Sequence, residues 1–143
     1  MKNPILLLGA SLALAACQTN GQAPDHPVIP PASAQTWQLE HGQLGGKTLN
    51  LAASPEPVTL TMQSNLLTGK SPVNHYNAPA NIGGNTLRIT GPIMTTRMAA
   101  NAAAMHLESD YLQALQKAER YDKSGNRLII EGADARLEYG LRP

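Results

Sequence analysis

Seven short segments of the chain have the alternating or β-rich pattern of strands, and turn-forming residues separate them. In the segment 58–62, for example, Val58, Leu60 and Met62 fall on one face, because successive side chains of a strand point to opposite sides. Glycines at 83–84 and 125 mark two of the intervening turns. The predicted strands are 36–40, 48–51, 58–62, 66–69, 86–90, 127–131 and 135–139.

The apolar pattern changes to a helical period after Asn101. Apolar residues then recur at a spacing of three or four and fall on one stripe. They are Ala104, Leu107, Tyr111, Ala114, Leu115 and Ala118. We predict a helix over 102–120 with Asn101 as its N-terminal cap. The whole pattern predicts a single α+β domain, an antiparallel β-rich sheet or partial barrel of six to eight strands with one amphipathic helix packed on it.

A continuous apolar run at residues 5–16 precedes these elements and follows Lys2. The run ends in Leu14, Ala15, Ala16 and Cys17. It is too short to span a bilayer, which requires about 20 apolar residues, and it has the basic start and small-residue end of an export signal. The segment resembles the signal of a bacterial lipoprotein, which implies cleavage before Cys17 and lipid attachment to its sulfur. The alternative is a free cysteine in an ordinary signal peptide or in an apolar helix.

Residues 17–35 are predicted to form a lipidated, proline-rich tether. Proline favours extended conformations, and prolines alternate here with small and polar residues. A proline-rich ligand for a partner is the alternative, but no basic residue flanks the prolines. In the lipoprotein pattern, Gln18 in place of Asp implies the outer membrane, facing the periplasm. We therefore predict a signal peptide at 1–16, the tether at 17–35 and the folded domain at 36–143.

The charge and composition narrow the possible partners. Without Lys2 the chain has ten basic and ten acidic residues, and no basic stripe of the kind that binds nucleic acid is evident. Cys17 is the single cysteine, so the domain must fold without an internal disulfide even in the oxidising periplasm. We expect the membrane as a partner through the lipid anchor, with no nucleic acid.

Most candidate catalytic and cofactor motifs fail on spacing. The segments 45–48 and 68–71 contain Gly-Lys-Thr and Gly-Lys-Ser, but neither has the first glycine of a phosphate-binding loop. The histidines are dispersed without metal-ligand spacing, and no nucleophile elbow is present. We therefore expect no enzyme activity, no metal and no cofactor other than the covalent lipid on Cys17.

Four polar residues remain as candidates for a structural or binding site. Asn74 is predicted to hydrogen-bond backbone in a partly buried turn, and Tyr76 to bury its ring and direct its hydroxyl to a partner. A binding edge is the alternative for both. Arg97 and Glu108 are predicted to form an ion pair at the start of the helix.

The order of these elements resembles the META domain, also called the HslJ-like family, over about residues 36–140, which is nearly the whole mature domain. The opening Trp37-Gln38-Leu39 is similar to the family's Trp-x-Leu strand. The other matching segments are 73–76, 95–99, Glu108 with Tyr111 and Leu115, 128–130 and 137–139. Two cysteines that are frequent in the family would fall at Val73 and Ala100. The resemblance implies that these positions meet, so a double cysteine variant would form a disulfide.

The resemblance also implies a role in the cell envelope. HslJ-like proteins are associated with heat shock and with novobiocin resistance, which implies a binding role in envelope maintenance or stress tolerance, with an envelope protein as partner. The alternative is a carrier of an apolar ligand or a pilotin-like secretion chaperone. A cleft of about 300 Å³ or more between helix and sheet would favour that alternative. An enzyme is the last choice.

Overall fold

The computed structural model describes residues 34–143, which fall in one compact unit. The predicted signal peptide, Cys17 and the predicted tether as far as residue 33 lie outside the described residues. Among the residues that are described, no helix is long and apolar enough to cross a membrane.

Within this part of the chain, antiparallel strands and one α-helix make up the fold. The strands are β1 (Thr36–Leu44), β2 (Lys47–Thr48), β3 (Thr59–Gln63), β4 (Leu66–Lys70), β5 (His75–Gly83), β6 (Thr86–Ile89), β7 (Met94–Thr95), β8 (Arg120–Ser124), β9 (Arg127–Glu131) and β10 (Ala135–Leu141). The helix α1 (Ala102–Gln116) lies between β7 and β8, and a short 3-10 turn (Leu51–Ala53) precedes β3.

Eight of the strands close into a barrel. They pair in the order β1, β3, β4, β5, β6, β8, β9 and β10, and β10 pairs with β1. The closing register runs from Trp37 opposite Leu141 to Leu44 opposite Ala135, with a shift between Leu39 and His41. Such a bulge bends a strand, and closure removes the exposed edges of an open sheet. The predicted α+β fold is confirmed, in the form of a closed barrel with one helix.

The helix begins as predicted but ends earlier. The Asn101 side chain accepts a hydrogen bond of 2.9 Å from the Ala104 backbone amide, so the predicted cap is confirmed. The predicted end at residue 120 is wrong, because the helix ends at Gln116 and Arg120 begins β8. The apolar period continues past the helix because Ala118, in the connection to β8, is also buried.

The core fills the barrel from two sources. Alternate strand residues point inward, and the predicted stripe of α1 packs against them. The bulkiest side chains with less than 2% exposure are aromatic, and they are Trp37, Tyr76, Tyr111 and Tyr139. Three of these four aromatic side chains carry hydroxyl groups into the core, and each hydroxyl therefore needs a hydrogen-bond partner there.

Strand β5 was not predicted. Tyr76, Ala78 and Ala80 alternate into the core along this strand, but small alanines and the residues Asn77 and Pro79 weaken the apolar pattern. Pro79 has no amide proton, although its carbonyl still accepts a hydrogen bond from the Thr90 amide. Packing between β4 and β6 therefore overrides the poor strand propensity of this segment.

The predicted strand 48–51 is mostly wrong. Only Lys47–Thr48 pair with β1, as β2, and Leu51–Ala53 form the 3-10 turn. The apolar residues that suggested alternation are still packed, since Leu49 is 6% exposed and Leu51 is partly buried against the core. The two-residue strand β7 and strand β8 were not predicted either.

Candidate functional site

A buried polar cluster joins α1 to the turn before β5. Its core members, Ser71, Asn74 and Glu108, are each at most 6% exposed. Glu108 Oε2 accepts hydrogen bonds from the Ser71 hydroxyl and from the backbone amides of Val73 (2.9 Å) and Asn74 (2.7 Å). Glu108 Oε1 accepts one from Asn74 Nδ2 (2.7 Å). The carboxylate therefore holds together two segments that are 34 to 37 residues apart.

Asn74 connects this cluster to the segment that leads into the helix. Its Oδ1 accepts hydrogen bonds from the Met98 backbone amide (2.7 Å) and from the Thr96 hydroxyl (2.8 Å). Every buried side-chain nitrogen or oxygen in the described part of the chain has a partner. We call Ser71, Val73, Asn74, Thr96 and Glu108 the staple. Its hydrogen bonds hold the turn before β5 against both the helix α1 and the segment that precedes the helix.

The staple also sets the ionisation of Glu108. Burial by itself raises the pKa of a carboxyl group. Here the hydrogen bonds from Ser71, Asn74 and Val73 outweigh burial, so the pKa of Glu108 is lower than its ordinary value. The group is therefore held as an anion whose acceptor positions are occupied by the chain's own donors.

A second buried chain of hydrogen bonds links three tyrosines. The hydroxyls of Tyr76 and Tyr111 are 2.9 Å apart, and those of Tyr111 and Tyr139 are 3.2 Å apart. Tyr76 also donates to the Thr59 carbonyl oxygen at 3.1 Å. The rings of Tyr76 and Tyr111 meet edge to face with their centroids 5.8 Å apart. Burial raises the pKa of Tyr111 to about 12, so this chain stays protonated.

The proton order along these tyrosines follows from the carbonyl at its end. A carbonyl only accepts, so the Tyr76 proton is directed to Thr59. Tyr111 must then donate to Tyr76, and Tyr139 must donate to Tyr111, because each hydroxyl has one proton. Tyr111 is thus both donor and acceptor, whereas Tyr139 is only a donor within this chain.

Gly69 makes room for the end of the tyrosine chain. A methyl group at Gly69 would lie 2.0 Å from the Thr59 carbonyl oxygen and 3.0 Å from the Tyr76 hydroxyl. Any side chain at this position would therefore displace the hydrogen bond between them. The Gly-Lys-Ser sequence at 69–71 resembles part of a phosphate loop, but Gly69 lies within strand β4, opposite Tyr76.

The predicted ion pair between Arg97 and Glu108 is wrong. Arg97 is exposed, whereas Glu108 is buried and bonded to the turn before β5. Among residues 34–143, the ion pairs do not include Arg97. Burial of Glu108 is satisfied by amides and a hydroxyl of the turn, so no cation is needed.

The cysteine-pair positions of the family resemblance differ in exposure. Val73 is 6% exposed, whereas Ala100 is exposed. The neighbouring residues Asn74 and Met98 are joined by a hydrogen bond, which brings the two segments close together. The disulfide in a double cysteine variant stays a prediction.

The other face of the helix borders a cleft of about 520 Å³. The cleft lies between the first turns of α1 and the segment that includes the β1–β2 hairpin and the 3-10 turn. Its apolar wall consists of Leu44, Leu49, Ala53, Ala103 and Leu107. Its charged and titratable residues are Lys47, His106 and Asp110. We call this the helix–hairpin cleft.

Gly42 helps to form the apolar wall of the helix–hairpin cleft. A methyl group at Gly42 would lie 2.7 Å from Leu49 Cδ1, so the absence of a side chain lets Leu49 pack across β1. The Leu49 amide also donates to the Gly42 carbonyl at 2.8 Å. Leu49 is fixed in this way at 6% exposure.

The polar residues of the cleft differ from those of the staple. His106 Nε2 lies 3.9 Å from Asp110 Oδ2, which is beyond hydrogen-bond distance, and the two side chains are 83% and 34% exposed. Within the described residues, Lys47 takes part in no ion pair. Within the described residues, the charged and titratable groups of the cleft therefore make no close hydrogen bond or ion pair with one another.

Three of the four predicted site residues are buried in hydrogen-bond networks, and the fourth is not. Asn74, Tyr76 and Glu108 lie in the buried networks, and Arg97 lies apart from them on the surface. Their burial is consistent with the structural interpretation of Asn74 and Tyr76. The cleft residues were not predicted, because they come from a hairpin and a helix that are about 60 residues apart in the chain. No three His, Cys, Asp or Glu side chains in residues 34–143 are grouped to hold a metal ion.

Three solved structures share this fold. An NMR structure of a protein from Burkholderia xenovorans has a TM-score of 0.62 at 21% identity, over 76% of this chain and 82% of that one. A second NMR structure has a TM-score of 0.55 at 21% identity, over 76% and 89%. A crystal structure of a DUF4847 family protein from Bacteroides vulgatus has a TM-score of 0.53 at 13% identity, over 75% and 92%.

The sequence comparison assigns the family. No curated protein has significant similarity to this chain. Residues 31–142 match the family model of the META domain, which accounts for nearly the whole closed barrel and its helix. The chain therefore belongs to the META domain family.

Proposed function

We propose that this protein is a bacterial outer-membrane lipoprotein whose META domain faces the periplasm and acts by binding, without catalysing a reaction. Support for the anchor comes from the sequence Leu14-Ala15-Ala16-Cys17 and from Gln18 after it. Each buried methylene contributes about 0.8 kcal/mol, and more than one acyl chain gives stable anchoring. The tether at 17–35 gives the domain reach from the membrane surface.

The observation that carries the binding role is the helix–hairpin cleft. Its volume of about 520 Å³ falls within the range of ~300–1,000 Å³ that is typical of ligand sites. The buried staple and the tyrosine chain bond internally, so they are suited to support the fold. Lys47, His106 and Asp110, by contrast, are available to a ligand or partner.

The biological role that we propose is envelope maintenance or tolerance of stress, including antibiotics of the novobiocin type. The family resemblance supports this role, and an envelope protein is the expected partner. The nearly balanced charge of the chain argues against nucleic acid as a partner. We propose no cofactor beyond the lipid on Cys17.

A second function is favoured by the apolar wall of the cleft. The protein would act as a carrier of an apolar ligand, or as a pilotin-like secretion chaperone that holds an apolar segment of its client. Leu44, Ala53 and Ala103 are the accessible apolar residues of the cleft, and burial of apolar surface contributes about 25 cal/mol per Å².

The anchor is tested by labelling cells with palmitate and separating their membranes. We expect label on the wild type and none on Cys17→Ala. Gln18→Asp is the matched variant, since it keeps the lipid but is expected to move the protein from the outer to the inner membrane. An unmodified, freely diffusing wild-type protein would contradict the anchor, and an unchanged location of Gln18→Asp would contradict the proposed sorting.

The binding role is tested by complementing a deletion strain under novobiocin. We expect the wild type to restore growth, and both Cys17→Ala and the cleft-filling variant Ala103→Trp to fail, with all three proteins at equal abundance. Ala103 is exposed and lines the cleft, so a larger side chain there would occupy the cleft. Full restoration by Ala103→Trp would exclude the cleft from this function.

A further inference from the structure

The helix–hairpin cleft combines an apolar wall with one cation and one anion. From this combination we infer that the cleft binds a single-chain amphiphile with a zwitterionic head group, in which a phosphate faces Lys47 and an ammonium faces Asp110. This inference rests on the proposed binding role of the cleft and names its ligand class.

The apolar wall suits one acyl chain. Leu49 and Leu107 are 6% and 4% exposed, and Leu44 and Ala53 are partly buried against the same core, so the wall is a fixed part of the barrel. A methylene group takes up on the order of the ~30 Å³ of a water molecule. The volume of about 520 Å³ is therefore of the size that one acyl chain requires.

Lys47 is placed to bind the phosphate. It lies directly opposite Leu44 in the β1–β2 hairpin, and directly opposed residues of antiparallel strands have side chains on the same face. The apolar stem of Lys47 can therefore lie along the wall beside Leu44, with its ammonium at the solvent edge. Lys47 has no carboxylate partner within residues 34–143, so its charge is available.

Asp110 is placed to bind the ammonium. It lies on α1 three residues after Leu107, on the wall opposite the hairpin. Its nearest basic group, His106, is 3.9 Å away and is exposed to solvent. A surface ion pair of this kind contributes little to stability, so a ligand ammonium can replace the imidazole beside the carboxylate. The two walls of the cleft thus carry opposite charges, which complements a head group with both.

The two opposite charges of the cleft also favour a zwitterionic head group over a head group with a single charge. A fatty acid or an anionic lysolipid would pair with Lys47 but face Asp110 without a counter-charge. A cationic amphiphile would have the reverse problem with Lys47. A zwitterionic head group satisfies both residues, and such selectivity by unpaired charge is a general means of discrimination.

The test uses the chain from residue 18 to 143, which contains the complete barrel and lacks the predicted anchor. Binding of lysophosphatidylethanolamine and lysophosphatidylglycerol is measured by calorimetry below their micelle concentrations. We expect the ethanolamine lipid to bind about fivefold more tightly to the wild type. Asp110→Asn should remove that preference, and Lys47→Gln should weaken both lipids about fivefold. Lys123→Gln, at an exposed lysine outside the cleft, is the control and should change neither affinity.

Ala103→Trp provides the test of location, because Ala103 is exposed and lines the cleft, so the larger side chain would occupy it. It should abolish binding of both lipids while the thermal midpoint stays at the wild-type value.

Unchanged binding in this variant would overturn the inference, as would a wild type that binds neither lipid. Equal binding of the two lipids by the wild type would overturn the head-group assignment but leave the proposed binding role standing. Binding only to two-chain vesicles, and not to monomeric lysolipid, would indicate a membrane surface and also overturn it. The complementation by Ala103→Trp decides the proposed function independently.

Discussion

The two sides of helix α1 use polar residues in opposite ways. On the side of Glu108, the polar groups of Ser71, Asn74 and Glu108 are buried and bonded to the chain itself. On the side of His106 and Asp110, these two side chains line an open cleft and lie 3.9 Å apart, beyond hydrogen-bond distance. A fully bonded network stabilises a fold, whereas charged groups beside an apolar wall are available to a ligand. The helix–hairpin cleft, rather than the staple, is therefore the candidate binding site.

The positions in the helix make the contrast sharper. His106, Leu107 and Glu108 are consecutive, yet the first is exposed and the other two are buried. Within one turn of the helix, His106 faces solvent, Leu107 forms part of the cleft wall and Glu108 is the buried anion of the staple. Variants of these residues can therefore separate effects on stability from effects on binding.

The largest expected effect is the loss of the staple in Glu108→Ala. The substitution removes the acceptor of the Val73 amide, and it removes the shorter of the two hydrogen bonds that the Asn74 backbone amide and the Asn74 side-chain amide each donate. Buried donors without partners are costly, so we expect the free energy of unfolding to fall by about 3–5 kcal/mol. Urea denaturation followed by circular dichroism measures this loss.

His106→Ala is the matched control for that prediction. It truncates a residue on the same helix whose side chain is 83% exposed, so the free energy of unfolding should change by less than about 0.5 kcal/mol. Equal losses in the two variants would remove the distinction between the two sides of the helix.

A smaller effect is expected within the tyrosine chain. Tyr111→Phe leaves the Tyr139 hydroxyl without an acceptor and removes the donor to Tyr76, so we expect a loss of about 2 kcal/mol. Tyr139→Phe removes only the terminal donor, and its expected cost is about 1 kcal/mol. Thermal and urea unfolding of the two variants give the comparison. A larger loss in Tyr139→Phe would contradict the proton order from Tyr139 towards Thr59.

The smallest expected effect is the pH dependence that Glu108 contributes. Its pKa is lowered in the folded state relative to about 4.3 in the unfolded chain. The unfolded state then binds the proton more readily, so stability that is present above about pH 4.3 is lost as the pH falls through the folded pKa. Glu108→Gln should show a flatter stability profile than the wild type in acid. Parallel urea titrations between about pH 3 and pH 7 measure the difference, and identical slopes would show that Glu108 is not the titrating group.

Local patterns were sufficient for most of the fold. The strands 127–131 and 135–139 and the cap at Asn101 were predicted from alternation and turn residues, and the structure has them within two residues. The helix stripe was predicted because its period depends only on neighbouring turns. Strand β5 was missed because alanine, asparagine and proline give little local signal, and its place depends on β4 and β6 on either side.

The candidate site shows the same division. Asn74 and Tyr76 were predicted as candidate site residues because they are polar residues in a segment that resembles a family motif. Both lie in buried networks. The Arg97 pairing was wrong because sequence proximity to the helix start does not determine which way a side chain points. The cleft residues carried no common motif, so no local pattern could have joined Lys47 to Asp110.

Strand alternation, the helix stripe and the family were predictable from the order of residues, because each depends on neighbours along a few turns of chain. The closure of β10 on β1, the hydrogen bonds from Glu108 to the turn before β5 and the cleft beside α1 were visible only in the folded barrel. Each of these features joins segments 30 or more residues apart, and the partners are chosen by packing of the whole barrel rather than by local propensity.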